Sequence, residues 1–393
     1  KELKEMKNRR GEIRSQNERY RIEEDKYHYS GTMHHKSSFL KKYLLRLTFN
    51  PWFLVIFFFL LLTTLTSFYI YEGIITPASH INNPKIINIP KGSDLKTISL
   101  ILKREGIINS SFIFNILALY KSAEGNLKAG EYYLSADMSP LKILEIILNG
   151  RSYRYPVTIP EGYNIFEIAS LLHEKGLADK GRFLSLSLNK EFIKSLGIYA
   201  DNLEGYIFPD TYYISRGTDE RIIIKKMVDT FKKAVLDDIV LKSHKKALTI
   251  HQIIILASLI EKETGKESEK PIISAVFHNR YKKGMRLQCD PTVIYALLLK
   301  DGGNFNGNIK KEDLQIDSPY NTYRYPGLPH GPIANPGRSS IYAALYPSNL
   351  NYLYFVSKQD GWHYFSSTLE EHNRAVKIYQ KGVEGLRGSR VKE

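Results

Sequence analysis

Cysteine is almost absent: the 393-residue chain has one, Cys289. No intrachain disulfide can form, which fits a reducing compartment or exported domains large enough to fold without a staple. Metal patterns are missing as well. There is no His-Glu-x-x-His, no Cys-x-x-Cys and no Gly-rich phosphate loop. The pair His34-His35 lies in the N-terminal segment, and His330 and His363 stand isolated. Metal chemistry, phosphoryl transfer and a bound cofactor are therefore not expected. Acidic residues are the minority charge, 41 Asp+Glu against 56 Lys+Arg, for a net charge of +15.

Charge vanishes altogether from Leu47 to Tyr71. Within that stretch "PWFLVIFFFLLLTTLTSFYIY" (51–71) is overwhelmingly apolar, and a bilayer core needs roughly 20 such residues as a helix. A secretory signal peptide would have a shorter apolar region, a shorter leader and a small-residue cleavage site. A retained single-span anchor fits better. Residues 1–50 hold 13 Lys+Arg against 7 Asp+Glu, and Lys36, Lys41, Lys42 and Arg46 adjoin the span without an acid among them. The positive-inside rule then puts residues 1–50 in the cytoplasm as a basic, largely disordered tail, and everything from about Glu72 onward outside it. Trp52, Tyr69 and Tyr71 suit the two interfaces. Nucleic acid is not an expected partner on that side.

An internal repeat organises the region after the span. "INIPKGSDLKTISLILKREGII" (87–108) and "VTIPEGYNIFEIASLLHEKGLA" (157–178) align without a gap at an offset of 70 residues. Pro90 matches Pro160, Gly92 matches Gly162, and Gly106 matches Gly176. Each copy reads as a short strand, a Pro-x-Gly turn, then a helix with a Gly stop. Between them lie a strand, "AGEYYLS", and a helix, "SPLKILEIILNG", capped by Ser139 with Pro140 at its first position. Small units of this kind serve either as glycan-binding modules or as spacers.

"LASLIEKETG" (256–265) carries the chemistry. Thr249 and Gln252 form a capping-box pattern, an apolar run comes next, and Gly265 is placed to end the helix. Glu261 then falls in the last turn, where burial and the helix dipole both favour the neutral acid. A carboxylic acid that keeps its proton near neutrality suits general acid catalysis on a glycosidic oxygen. Glu263 is about 200° around the helix, so only one of the pair can face a given cleft. Glu261 comes directly after the apolar run, whereas Glu263 sits among charges, and Glu261 is the expected catalytic residue. "LEGYIFPDTYY" (203–213) contributes Glu204 and Tyr206. "LQCDP" (287–291) contributes Gln288 and Asp290. The long loop "DSPYNTYRYPGLPHGPIANPG" (317–337) contributes Tyr320, Asn321, Tyr323 and Asn335. Flat aromatic faces, amides and carboxylates are what a sugar-binding cleft uses, and these eight are the expected substrate contacts.

Taken in order, "LEGYIFPDTY", "LASLIEKET", "FHNR…MRLQCDPTVIYAL", "SPYNTY", "GLPHGPIANPG" and "DGWHYFSSTLEEHN" resemble the motifs of the YceG-like family of endolytic murein transglycosylases. The likeness runs from about Ile86 to Lys377 and includes the single anchor. It implies an α+β protein with a transmembrane helix (51–71), a linker (72–85), a LysM-like αβ module (86–155), a catalytic domain (156–378) and a basic flexible tail (379–393). It also implies cleavage of nascent peptidoglycan between N-acetylmuramic acid and N-acetylglucosamine, leaving a 1,6-anhydro end, with the family's catalytic Glu on Glu261. Peptidoglycan strands, the lipid bilayer and peptidoglycan synthases are the implied partners, in the inner membrane of a bacterium. Cys289 departs from an expected Thr and His330 from an expected Pro. A water-using hydrolase with Asp290 or Glu204 as base, and a glycan-binding anchor without catalysis, are the alternatives. Aminodeoxychorismate lyase, a label attached to this family, would need a pyridoxal phosphate lysine and a cytosolic substrate.

Overall fold

The structure, a computed structural model, describes residues 51–236 and 248–381. The expected N-terminal tail (1–50) and most of the expected C-terminal tail lie outside them. The described chain mixes helices with three two-stranded sheets, an α+β architecture. It divides into two compact units. One holds residues 51–85, 93–127 and 134–148; the other holds 86–92, 128–133 and the described residues from 149 onward.

In the first unit, the uncharged run forms helix α1 (Pro51–Ile75) with no buried residue, long and apolar enough to cross a membrane. It continues past the predicted end at Tyr71. Helix α2 (Leu95–Arg104) is capped by the Asp94 side chain on the Thr97 N–H, and α3 (Ser111–Tyr120) by Ser110 on Ile113. The predicted Ser139–Pro140 start opens α4 (Pro140–Leu148), whose Lys142 N–H meets Ser139 Oγ at 3.3 Å.

Strands β1 (Lys85–Ile89) and β2 (Gly130–Leu134) pair with each other. Strand β3 (Tyr155–Thr158) pairs antiparallel with β4 (Thr211–Ile214), Val157 opposite Tyr212. Helices α5 (Ile165–Glu174), α6 (Lys180–Ser187) and α7 (Lys190–Ser195) lie between β3 and β4 in the chain. The repeat is real at the level of backbone. Gly92 and Gly162 turn with φ of 80° and 77°, and Gly106 and Gly176 stop the helices with φ of 69° and 65°. The Ile107 N–H reaches Leu102 O and the Leu177 N–H reaches Leu172 O, both at 2.9 Å, closing the same left-handed stop.

The core of the second unit surrounds α9 (Ile250–Glu263), which comes after α8 (Glu220–Phe231) in the described chain. Every residue of α9 from Ile253 to Ile260 is buried. The Thr249–Gln252 capping box forms as expected, with both reciprocal bonds in place. The C-terminal stop differs: Thr264 caps the helix in an extended conformation, and Gly265 has no positive φ. Thr264 Oγ1 instead bonds Glu269 at 3.2 Å and receives the Lys266 N–H at 3.0 Å, so side-chain bonds replace the glycine device. Helices α10 (Lys270–Lys282), α11 (Asp290–Lys300) and α12 (Arg338–Leu345) pack around α9. Strands β5 (Tyr354–Ser357) and β6 (His363–Ser366) form a hairpin. Helix α13 (Leu369–Val376) comes next, with a final turn to Lys381 that extends beyond the predicted tail boundary at 379.

Candidate active site

The last turn of α9 presents two carboxyls to two different surroundings. Glu261 Oε2 accepts the Gly337 N–H at 2.9 Å, just before α12, and Oε1 stands 3.5 Å from Lys270 Nζ. The Lys270 side chain is only 2% exposed, and its ammonium also meets Glu267 and Ser339 Oγ, each at 2.7 Å. Glu161 lies 4.0 Å from the same ammonium. Burial, then the charge of Glu261, pushes the Glu161 carboxyl up. Three carboxylates thus share one buried cation, and these neighbours leave the Glu261 side chain only 8% exposed.

Glu263 faces elsewhere. It lines a cavity of about 400 Å³ together with Gln288, Asp290, Tyr323, Arg280 and His363. Burial pushes the Glu263 carboxyl up, and the neighbouring Asp290 charge adds to the effect. The thiol of Cys289 hydrogen-bonds this carboxylate and acts in the opposite direction, as do the Arg280 and His363 charges. The Tyr323 hydroxyl donates to Asp290 Oδ1. Gln288, on the rim, has φ of 51°, a left-handed conformation that non-glycine residues rarely take and that clusters at functional sites. Its N–H is held by Thr322 O at 3.2 Å, and the Cys289 N–H by Thr322 Oγ1 at 3.0 Å, so the 318–323 loop sets the register of the rim. Arg280 is anchored by Leu353 O at 2.6 Å and Leu287 O at 2.7 Å; His363 Nδ1 is paired with Glu269 at 2.8 Å.

The eight expected substrate contacts therefore separate. Gln288, Asp290 and Tyr323 come together, around Glu263 rather than Glu261. Glu204, Tyr206, Tyr320, Asn321 and Asn335 are buried, and none of them lines this cavity. Their polar atoms already serve the fold. Glu204 accepts from the Ile165 N–H at 3.1 Å, Tyr295 Oη at 2.8 Å and Asn335 Nδ2 at 2.8 Å. Burial pushes its carboxyl up to about 8. Asn335 also ties Ile207 to Tyr163. Asn321 donates to Leu314 O and Ile316 O, closing its own loop. Tyr206 pairs with His251 at 2.7 Å, and the Tyr320 ring packs 5.1 Å from Tyr295.

Four groups at or beside the two carboxyls were not singled out from sequence: Glu161, Lys270, Arg280 and His363. Arg280 and His363 stand inside the motifs "FHNR" and "DGWHYFSSTLEEHN" without a role assigned to them, and Glu161 left a trace in the repeat. It occupies the variable position of the repeated Pro-x-Gly turn, where the first copy has Lys91.

Comparison with known proteins bears on what this arrangement does. The model of the YceG-like family matches residues 87–378. The chain belongs to the YceG-like family. An endolytic murein transglycosylase of Bacillus subtilis is 36% identical over 316 residues, covering 75% of this chain and 84% of that protein. One of Streptococcus pneumoniae is 32% identical over 322 residues, covering 74% of this chain and 57% of its own greater length. A crystallised yceG-like protein of Listeria monocytogenes superimposes with a TM-score of 0.51 at 36% identity, over 75% of this chain and 100% of that one. This YceG-like protein is accordingly an enzyme of the lytic transglycosylase class, with a candidate membrane helix at its N-terminal side.

Proposed function

We propose that this YceG-like protein cleaves peptidoglycan strands internally, between N-acetylmuramic acid and N-acetylglucosamine, and leaves 1,6-anhydro ends. The observation that carries the reading is the Glu263 carboxyl, pushed up by desolvation and then by the Asp290 charge, facing a cavity with polar groups on its walls. Glu261, the residue favoured by sequence, is instead occupied by a backbone N–H and a buried ammonium. In this proposal Glu263 is the catalytic acid and Glu261 holds α9, α10 and the start of α12 together.

The mechanism needs one carboxyl used twice. Neutral Glu263 gives its proton to the bridging oxygen as the glycosidic bond breaks, and the leaving sugar departs with a new hydroxyl. The substrate's own N-acetyl oxygen stabilises the cationic carbon. The Glu263 carboxylate then takes the proton of the 6-hydroxyl, whose oxygen bonds to that carbon and closes the anhydro ring. Water is not consumed, and Glu263 ends protonated as it began. Asp290 raises the proton affinity of Glu263 and, with the Tyr323 hydroxyl, lines the sugar path.

A second reading draws on one observation: Asp290 is a second carboxylate in the same cavity. Ordinary glycosidases use two, one as acid and one as base or nucleophile. Mass spectrometry of the released muropeptides separates the two readings. Anhydro ends, one water lighter than reducing ends, are expected; reducing ends alone would make the enzyme a hydrolase.

A further inference from the structure

Helix α3 in the first unit carries no charged side chain on any face, and its only polar side chains are Ser111 and Asn115. "SFIFNILALY" (111–120) contains no charge. Ile113, Phe114, Leu117 and Ala118 face inward. Phe112, Leu119 and Tyr120 face outward, 66%, 54% and 83% exposed. Positions 112, 116 and 119 fall on one stripe of a helix, so the outer face carries Phe112, Ile116 and Leu119 where a surface helix normally places charge. A helix with an uncharged, largely apolar outer stripe is normally covered by something.

The position of α3 indicates what covers it. Within the same unit α3 packs against α1. A methyl added at Gly73 of α1 would sit 2.3 Å from Ile113 Cδ1, so the α1 backbone there touches α3 directly. The depth of Gly73 comes from α1 itself. Its uncharged part, 51–71, rises about 31 Å at 1.5 Å per residue, which matches a hydrocarbon core of about 30 Å. Glu72 is the first charge beyond it. Gly73, and Ile113 with it, therefore lies where hydrocarbon gives way to head groups. We propose that the Phe112–Ile116–Leu119–Tyr120 face of α3 seats in the head-group layer of the bilayer, beside the span. The proposal rests on reading α1 as a membrane span. Phe and Leu suit the acyl boundary, Tyr120 suits the interface, and Lys121 at the helix end suits anionic head groups. Seated this way, α3 gives the first unit a second attachment and fixes its orientation to the membrane.

The test uses the full chain in nanodiscs of phosphatidylethanolamine and phosphatidylglycerol. The native thiol, Cys289, is buried, so a single Lys121→Cys substitution can be labelled selectively with an environment-sensitive fluorophore. Replacing the lipids with analogues brominated near the head group should quench the label. Adding Phe112→Ser, Leu119→Ser and Tyr120→Ser together should abolish that quenching while the thermal melt stays in place, since all three side chains are exposed. A label that behaves as in water and ignores brominated lipids overturns the proposal. So does quenching that survives the triple substitution, or a label that responds only to added glycan strands, which would make this face a sugar platform instead. Cleavage assays on the same samples report on the proposed reaction separately.

Discussion

At the scale of single residues, Glu261 and Glu263 differ in what a neutral amide would do. Glu263→Gln keeps the shape but cannot pass a proton. Positioned acid–base catalysis contributes about 10²–10⁴-fold, and with one group serving both steps the loss should lie at the upper end. Glu261→Gln removes one of the carboxylates around Lys270, whose side chain stays buried with Glu267 and Ser339. That change should lower stability by roughly 1–3 kcal/mol and leave most turnover per folded molecule. Anhydro-muropeptide release by the two purified variants, with thermal melts alongside, tells them apart. A dead Glu261→Gln enzyme beside an active Glu263→Gln enzyme would return the acid role to Glu261. The glycine between Glu204 and Tyr206 is a further residue-scale test. Gly205 has φ of 85°, and a Cβ there would stand 2.7 Å from Ile254 and 2.8 Å from Pro332. Gly205→Ala should therefore cost at least about 1–3 kcal/mol, from backbone strain and overpacking together, read as a fall in the denaturation midpoint.

At the scale of elements, the buried Glu204 links the start of α5, α11 and the 335 loop, and its titration should be visible in stability. Its folded value is raised from an ordinary 4.5 to about 8. The folded state therefore binds the proton more tightly than the unfolded chain does, and stability contributed by this group is fully present below about pH 4.5. It is lost as pH rises toward 8, by roughly 3–5 kcal/mol if the whole shift is realised. Urea melts at about pH 5 and about pH 8 should show this decline, and Glu204→Gln should flatten it. An equal decline in the variant would place the titrating group elsewhere. Elements like these explain what was legible in the sequence. The capping box of α9, the Pro140 start of α4 and the repeated strand–turn–helix depend on residues a few positions apart, and each formed where its local pattern put it. Glu263's surroundings do not. Its walls come from α10 (Arg280), the start of α11 (Asp290), the 318–323 loop (Tyr323) and β6 (His363). Local spacing could show that the two carboxyls diverge, but not what surrounds each of them. For the same reason Asn321 and Asn335 read as sugar-binding amides although their partners are backbone groups and a buried carboxyl elsewhere in the fold.

At the scale of the whole molecule, the catalytic proposal requires the second unit to stand on the side of the membrane where peptidoglycan is. The span α1 is long and apolar enough to cross, and the flank before it is basic, with Lys36, Lys41, Lys42 and Arg46 unaccompanied by acids. Juxtamembrane Lys and Arg are retained on the cytoplasmic side, so residues from Glu72 onward should face outward. Protease added to intact spheroplasts should digest the second unit and leave an N-terminal fragment that includes α1. Detergent should be needed before residues 1–50 are cut. Moving the positive charge tests the cause as well as the orientation. Changing Lys36, Lys41, Lys42 and Arg46 together to Gln should increase the fraction of chains in which the second unit is protected, because juxtamembrane positive charge is what favours retention on the cytoplasmic side. A second unit protected in the unaltered protein would separate it from its substrate and remove the basis for assigning Glu263 a role in peptidoglycan cleavage.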